Sequence, residues 1–129
     1  FYPKRNNKVA TIPPQVKEIG RLAFFKSDVE KVVCNDGLVT IGDGAFFCCD
    51  SLKEIVLSDT IIGIGEGAFH NCRQLIRIKL PNGLTDIKAA TFNNCENLTE
   101  IYLPKGIKNI DLSAFFGCNS LKEFRFINK

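Results

Sequence analysis

Residues 64–86 read IGEGAFHNCRQLIRIKLPNGLTD, and this stretch decides the fold because the chain repeats it. The register returns as IGDGAFFCCDSLKEIVLSDTIIG at 41–63, IKAATFNNCENLTEIYLPKGIKN at 87–109 and IDLSAFFGCNSLKEFRFINK at 110–129, a fixed step of 23 residues. Its strictest columns are Phe46, Phe69, Phe92, Phe115; Cys49, Cys72, Cys95, Cys118; and Leu52, Leu75, Leu98, Leu121. Ile41, Ile64, Ile87 and Ile110 open the blocks, and Ile55, Ile78, Ile101 with Phe124, then Leu57, Leu80, Leu103 with Phe126, follow later. A fixed period of this length marks a solenoid, in which one repeat is one coil. A single coil cannot bury its own apolar face, and stacking on its neighbours does so.

The pattern continues upstream in weaker form. IGRLAFFKSDVEKVVCNDGLVT, from Ile19, fits with one residue deleted after Phe24, placing Val29, Val32, Cys34 and Leu38 on apolar columns and Ser27 or Asp28 on the cysteine column. Residues 1–18 hold an N-terminal half coil, with Ile12-Pro13 and Val16 matching Leu80-Pro81 and Leu84. Residues 1–129 are thus one solenoid domain with coils starting near 19, 41, 64, 87 and 110. The chain is 45% hydrophobic and 24% charged, ordinary for a globular domain. No apolar run reaches the roughly 18 residues of a membrane span, and the FYPKRNNK start has no following apolar stretch, so no signal peptide is read here. A net charge of +3, with cations scattered among carboxylates, makes no basic stripe for nucleic acid.

Within each coil the L-x-x-I-x-L segment ends in alternation, which predicts a short half-buried strand. Pro81 and Pro104 stop it, since proline cannot donate to a ladder. A second short extended piece follows, at 16–19, 38–41, 61–64, 84–87 and 107–110. Each strand recurs one coil later, so the fold class is mainly β, with parallel strands ~4.8 Å apart and little regular helix.

The pattern I-G-x-x-A-F-x-x-C-x-x-L-x-x-I-x-L-P-x-x-I, carried from Ile12 to the C-terminus, resembles the BspA-like leucine-rich repeat family. Departures are the lost cysteine of the first coil, Ser58 and Ile127 in place of Pro, and Phe124 and Phe126 in the last coil. The resemblance implies a parallel solenoid at the cell surface or secreted, acting in adhesion or host-protein binding without catalysis.

Candidate chemistry is sparse. The four ladder cysteines point in parallel from successive coils, so Cβ–Cβ stays near the strand spacing rather than the ~3.8 Å a disulfide requires. A line of sulfurs also offers no tetrahedral metal site. They read as buried thiols that donate to turn carbonyls. Cys34 reads as core, whereas Cys48, in a turn column with Asn71, Asn94 and Gly117, reads as exposed. The letters of Gly63–Ala68 match a dinucleotide fingerprint, but the following helix is missing and the glycines belong to the repeat turn. The lone histidine, His70, shares a ridge column with Phe25, Phe47, Asn93 and Phe116, and no partner marks it as a base. No catalytic, cofactor or metal residues are read.

Function on a solenoid sits on the solvent face of the stacked strands. One outward column runs Lys31, Glu54, Arg77, Glu100, Glu123, alternating in sign for four steps as a register-fixing charge ladder does. The next runs Val33, Val56, Lys79, Tyr102, Arg125. The expected binding face comprises Arg77, Lys79, Tyr102 and Arg125 with Val56, Glu54, Glu100 and Glu123, and its partner is a protein or a glycan. The alternative is a spacer within a longer array, without its own ligand. The C-terminal strand ends the stack uncovered, so a monomer that associates end to end at high concentration is expected.

Overall fold

The computed structural model describes residues 8–126, all in strands, turns and loops. Each coil contributes a longer strand and a two-residue strand. The longer ones are β1 (Val9–Thr11), β3 (Lys31–Val33), β5 (Glu54–Val56), β7 (Arg77–Lys79), β9 (Glu100–Leu103) and β11 (Glu123–Phe126). The shorter are β2 (Glu18–Ile19), β4 (Thr40–Ile41), β6 (Gly63–Ile64), β8 (Asp86–Ile87) and β10 (Asn109–Ile110). Every pairing is parallel and in the repeat register, as in Ile78↔Ile101 and Ile101↔Phe124. The middle residue of each long strand points inward, so Val32, Ile55, Ile78 and Ile101 are buried while their neighbours face water. No helix among the described residues is long and apolar enough to cross a membrane.

The third side of each coil is the Ala-Phe turn. It takes two residues in the left-handed region, first Leu22, Gly44, Gly67 and Ala90, then Lys26, Cys48, Asn71, Asn94 and Gly117. The second column explains its own asparagines and glycine, because these residues reach positive φ at least cost. The turns bond upward in a continuous ladder: Phe24 N–H donates to Ala45 O, Phe46 to Ala68, Phe69 to Thr91 and Phe92 to Ala114. The phenylalanines then stack one per coil. Phe46, Phe69 and Phe92 are fully buried, with centroids 5.3 Å and 5.5 Å apart and nearly parallel rings. Beside them the thiols of Cys49, Cys72, Cys95 and Cys118 donate to the carbonyls of Phe24, Phe46, Phe69 and Phe92 at 2.9, 3.2, 3.1 and 2.9 Å. All six cysteines are free, and Cys34 is buried.

The ladder has one interruption. The long strands form two sheets, β1-β3-β5 and β7-β9-β11, and the short strands part in step into β2-β4-β6 and β8-β10. Both breaks lie in one plane, a seam between β5–β6 below and β7–β8 above. One coil earlier, the N–H groups of Cys34, Lys53, Ile62 and Gly65 donate to Val56, Glu30, Val39 and Ile41. Their counterparts Leu57, Ile76, Thr85 and Lys88 make no such backbone bond. The glycine column changes at the same level. A Cβ at Gly65 would lie 2.4 Å from Asp43 N, so only glycine permits that approach. Lys88 takes the column one coil later, at the level of the seam, although Asp111, next in the same column, still donates its N–H to Ile87 O. What spans the seam is the turn ladder (Gly44 to Glu66, Phe46 to Ala68, Cys48 to His70) together with Asn82, whose backbone and side-chain N–H groups donate to Asp59.

Several positions depart from the repeat reading. Leu57, placed on an inward column, is only partly buried beside the seam. Cys48 is half-buried rather than exposed, with Asn71 Nδ2 at 3.5 Å from its sulfur. Among the described residues no further coil stacks on the last one, and Cys118 and Phe115 are half-buried and Ile110 exposed. Phe124 meets Phe115 edge-on, yet it and Phe126 stay 50% and 61% exposed, so the rings do not close the stack. Residue Ile127, one of the family departures, lies outside the described residues.

Candidate functional site

The register places the expected face residues side by side. Glu100 sits between Arg77 and Glu123, and Tyr102 between Lys79 and Arg125. Parallel pairing of identical repeats thereby turns residues 23 apart into neighbours about 4.8 Å from one another. Glu54 and Val56 lie on β5, paired with Lys31 and Val33. The seam therefore divides the eight residues: six stand together on β7, β9 and β11, and Glu54 and Val56 stand on the other sheet.

The charge ladder forms in two pieces for the same reason. Lys31 reaches Glu54 at 3.6 Å and Arg77 reaches Glu100 at 3.1 Å, while no ion pair joins Glu54 to Arg77 across the seam. Above it, Arg125 bridges the two adjacent carboxylates, at 3.2 Å from Glu100 and 2.8 Å from Glu123, relieving a like-charge contact that simple alternation would have avoided. Glu100 is the hub, its side chain only 17% exposed. The hydrogen bond from Arg77, aided by Tyr102 and Arg125, holds its carboxyl below the ordinary glutamate range. Arg77 and Arg125 are thus engaged within the face. Among the described residues Lys79 makes no ion pair, and with half-buried Tyr102 it is the part of the patch open to a partner.

Elsewhere on the surface the sequence reading was incomplete. Asp50, Arg73 and Glu96 form a second ion ladder beside the cysteines, with Arg73 at 3.6 Å and 3.8 Å from its two acids. Its signal was available, since the three residues follow the ladder cysteines directly. The Phe25 ridge is confirmed as a stack, with Phe25 and Phe47 5.5 Å apart at 21° and His70 edge-on to Phe47 at 4.9 Å. Partial burial lowers the His70 pKa from its ordinary value.

Comparison with known proteins agrees with this geometry. A leucine-rich cell surface protein from Faecalibacterium prausnitzii superposes with a TM-score of 0.92 at 33% identity, over 99% of this chain and 34% of that one. A leucine-rich repeat protein of T. pallidum gives 0.86 at 29% identity, over 92% and 58%, and one from Bacteroides ovatus gives 0.71 at 26%, over 94% and 42%. This chain therefore spans well under two thirds of the length of each. Among curated proteins none matches. The family described as "BspA type Leucine rich repeat region" matches residues 1–129 in six copies. With its parallel coils, phenylalanine stack and thiol ladder in that register, the chain belongs to the BspA-type leucine-rich repeat family.

Proposed function

We propose that this chain is a non-enzymatic recognition module that binds a protein or glycan partner through the β7-β9-β11 face, in adhesion or host-protein recognition at a cell surface. The observation that carries the reading is the row Lys79–Tyr102–Arg125, an aromatic flanked by cations on a rigid three-stranded support. Tyrosine and arginine dominate binding hot spots, and a tyrosine orders few torsions on binding. The family and fold are typically non-enzymatic and typically engaged in protein interaction. Surface placement is supported by the name of the Faecalibacterium protein.

The test is surface plasmon resonance of the 129-residue chain against purified extracellular-matrix glycoproteins. Tyr102→Ala and Lys79→Glu are expected to weaken a saturable interaction at least about tenfold, while Ile62→Ser, on the short-strand side, leaves it unchanged. A second reading, a spacer inside a longer array, is supported by the fraction of its relatives that the chain spans. Saturable binding that ignores the Tyr102 and Lys79 changes would sink the face assignment, and no binding to any glycoprotein would favour the spacer.

A further inference from the structure

The Ala-Phe side of the solenoid carries a second arrangement, independent of the strand face. Between the aromatic ridge and the outermost turn column runs an open groove of about 320 Å³, lined by Arg21, Leu22, Asp43, Phe47, Glu66 and His70 over the backbone of Gly44 and Gly67. The left-handed turn column is glycine in these two coils; Leu22 sits where a Cβ at Gly44 would go, and the open floor lies over Gly67. A Cβ at Gly67 would meet only the Cβ of His70, at 3.8 Å, so the space above it is open. One wall is apolar: Leu22 is 37% exposed, and the Phe47 ring is braced by Phe25 on one side and His70 on the other. The other wall is polar. Arg21, Asp43 and Glu66 fall in one exposed column, and among the described residues none of the three makes an ion pair. Asp43 Oδ1 accepts the Glu66 N–H at 2.9 Å, which leaves Oδ2 and the whole Glu66 carboxylate for a ligand.

A ligand that fits must have an apolar face and, beside it, an edge that both donates and accepts hydrogen bonds. A simple cation is opposed by Arg21, and a simple anion by Asp43 and Glu66. We infer that the groove is a glycan subsite in which a pyranose ring sets its C–H face against Leu22 and the outward edge of Phe47 and turns its hydroxyls to Arg21, Asp43 and Glu66. Carboxylates accepting from hydroxyls and a guanidinium donating to them form charge-assisted bonds, stronger than neutral ones. His70, whose pKa partial burial lowers, adds in its neutral form one donor and one acceptor at the rim. An open groove that orders one sugar gives weak affinity by itself, and repetition along a glycan compensates.

The experiment is an amide-resolved NMR titration of the 129-residue chain with lactose, cellobiose, maltose and N,N′-diacetylchitobiose. Saturable shifts are expected at Gly44, Gly67 and His70 with at least one of them. Arg21→Ala and Glu66→Gln, both at exposed side chains, should each weaken binding about tenfold. Gly67→Asn should abolish it by filling the floor, and asparagine tolerates the required φ, so an otherwise unchanged spectrum establishes that the variant folds. The inference is overturned if no saccharide gives a saturable shift, or if the shifts centre on Lys79 and Tyr102. It is equally overturned if Nα-acetyl-lysine amide reproduces the shifts while the saccharides do not.

Discussion

Phe69 and Phe92 each touch a ring above and a ring below, so truncation opens a cavity that rigid coils on both sides cannot collapse. Phe69→Ala and Phe92→Ala are expected to cost about 3–5 kcal/mol. Phe24, less completely buried and stacked on Phe46 in the degenerate coil, should cost less. Urea unfolding of the three variants checks this, and equal losses would contradict a stack with weak ends. The thiols supply a second expectation. Burial pushes Cys34 and Cys49 up to about 12 and Cys72 well above its ordinary range. In the unfolded chain they ionise near 9.0, so their contribution to stability is whole below that pH and is lost as pH rises toward about 12. The urea midpoint should therefore fall steeply above pH 9, more than in a Cys72→Ala variant at matched reference stability. At neutral pH a thiol reagent should modify Cys48 and Cys118 first and leave Cys34, Cys49, Cys72 and Cys95 protected. The buried ladder was legible in the sequence because four cysteines share one column. That Cys118 lies half open was not, because the repeat pattern shows which way a side chain points and not whether another coil covers it.

At the scale of elements, the period fixes the register to the residue: a 23-residue step makes Ile78 and Ile101 partners, and they are. The same logic makes every step look equivalent, which is why the seam could not be read. It depends on how closely two backbones approach, which residue type does not show: Lys88 and Asp111 both replace the column glycine, yet only Lys88 lacks the backbone bond. Hydrogen exchange should show it directly, with the amides of Leu57, Ile76, Thr85 and Lys88 exchanging faster than Cys34, Lys53, Ile62 and Gly65 one coil below. Equal rates in the two sets would remove the seam from solution. The strand-face charges were legible as columns, but not the bridging of Glu100 and Glu123 by Arg125, which requires a side chain to reach across strands. Since Arg77 holds the Glu100 carboxyl low, its charge and its ion pairs are present above the usual glutamate range and are lost only as pH falls below it. A carboxyl-detected NMR titration should place Glu100 below the ordinary glutamate range, and Arg77→Gln should bring it back up.

For the whole molecule, the C-terminal end is the least finished surface of the 129-residue chain. Ile110, Leu112, Phe116, Phe124 and Phe126 are all exposed there, beside the open edge of β11. Paired strands end in unsatisfied N–H and C=O groups that template further pairing. The chain is expected to be a monomer in dilute solution and to associate end to end when concentrated. Light scattering should show mass rising with concentration and a Phe124→Lys variant staying monomeric, whereas a parent chain that stays monomeric when concentrated would show the charged Lys122 and Arg125 to be enough protection. The seam, finally, bears on how such a rod carries load. Tension along the stack crosses most coil boundaries on three sides at once, so the bonds of each boundary share it. At the seam, among the described residues, the two blocks are bridged mainly on the turn side, by the backbone ladder with the Glu66–Asp43 and Cys72–Phe46 bonds and the Arg73–Asp50 pair, and otherwise by the Asp59–Asn82 link. Force there is borne off-centre, and bonds loaded off-centre give way in succession, as in peeling. The solenoid is a rod with one built-in place to bend, and it opens away from the Phe46–Phe69 hinge.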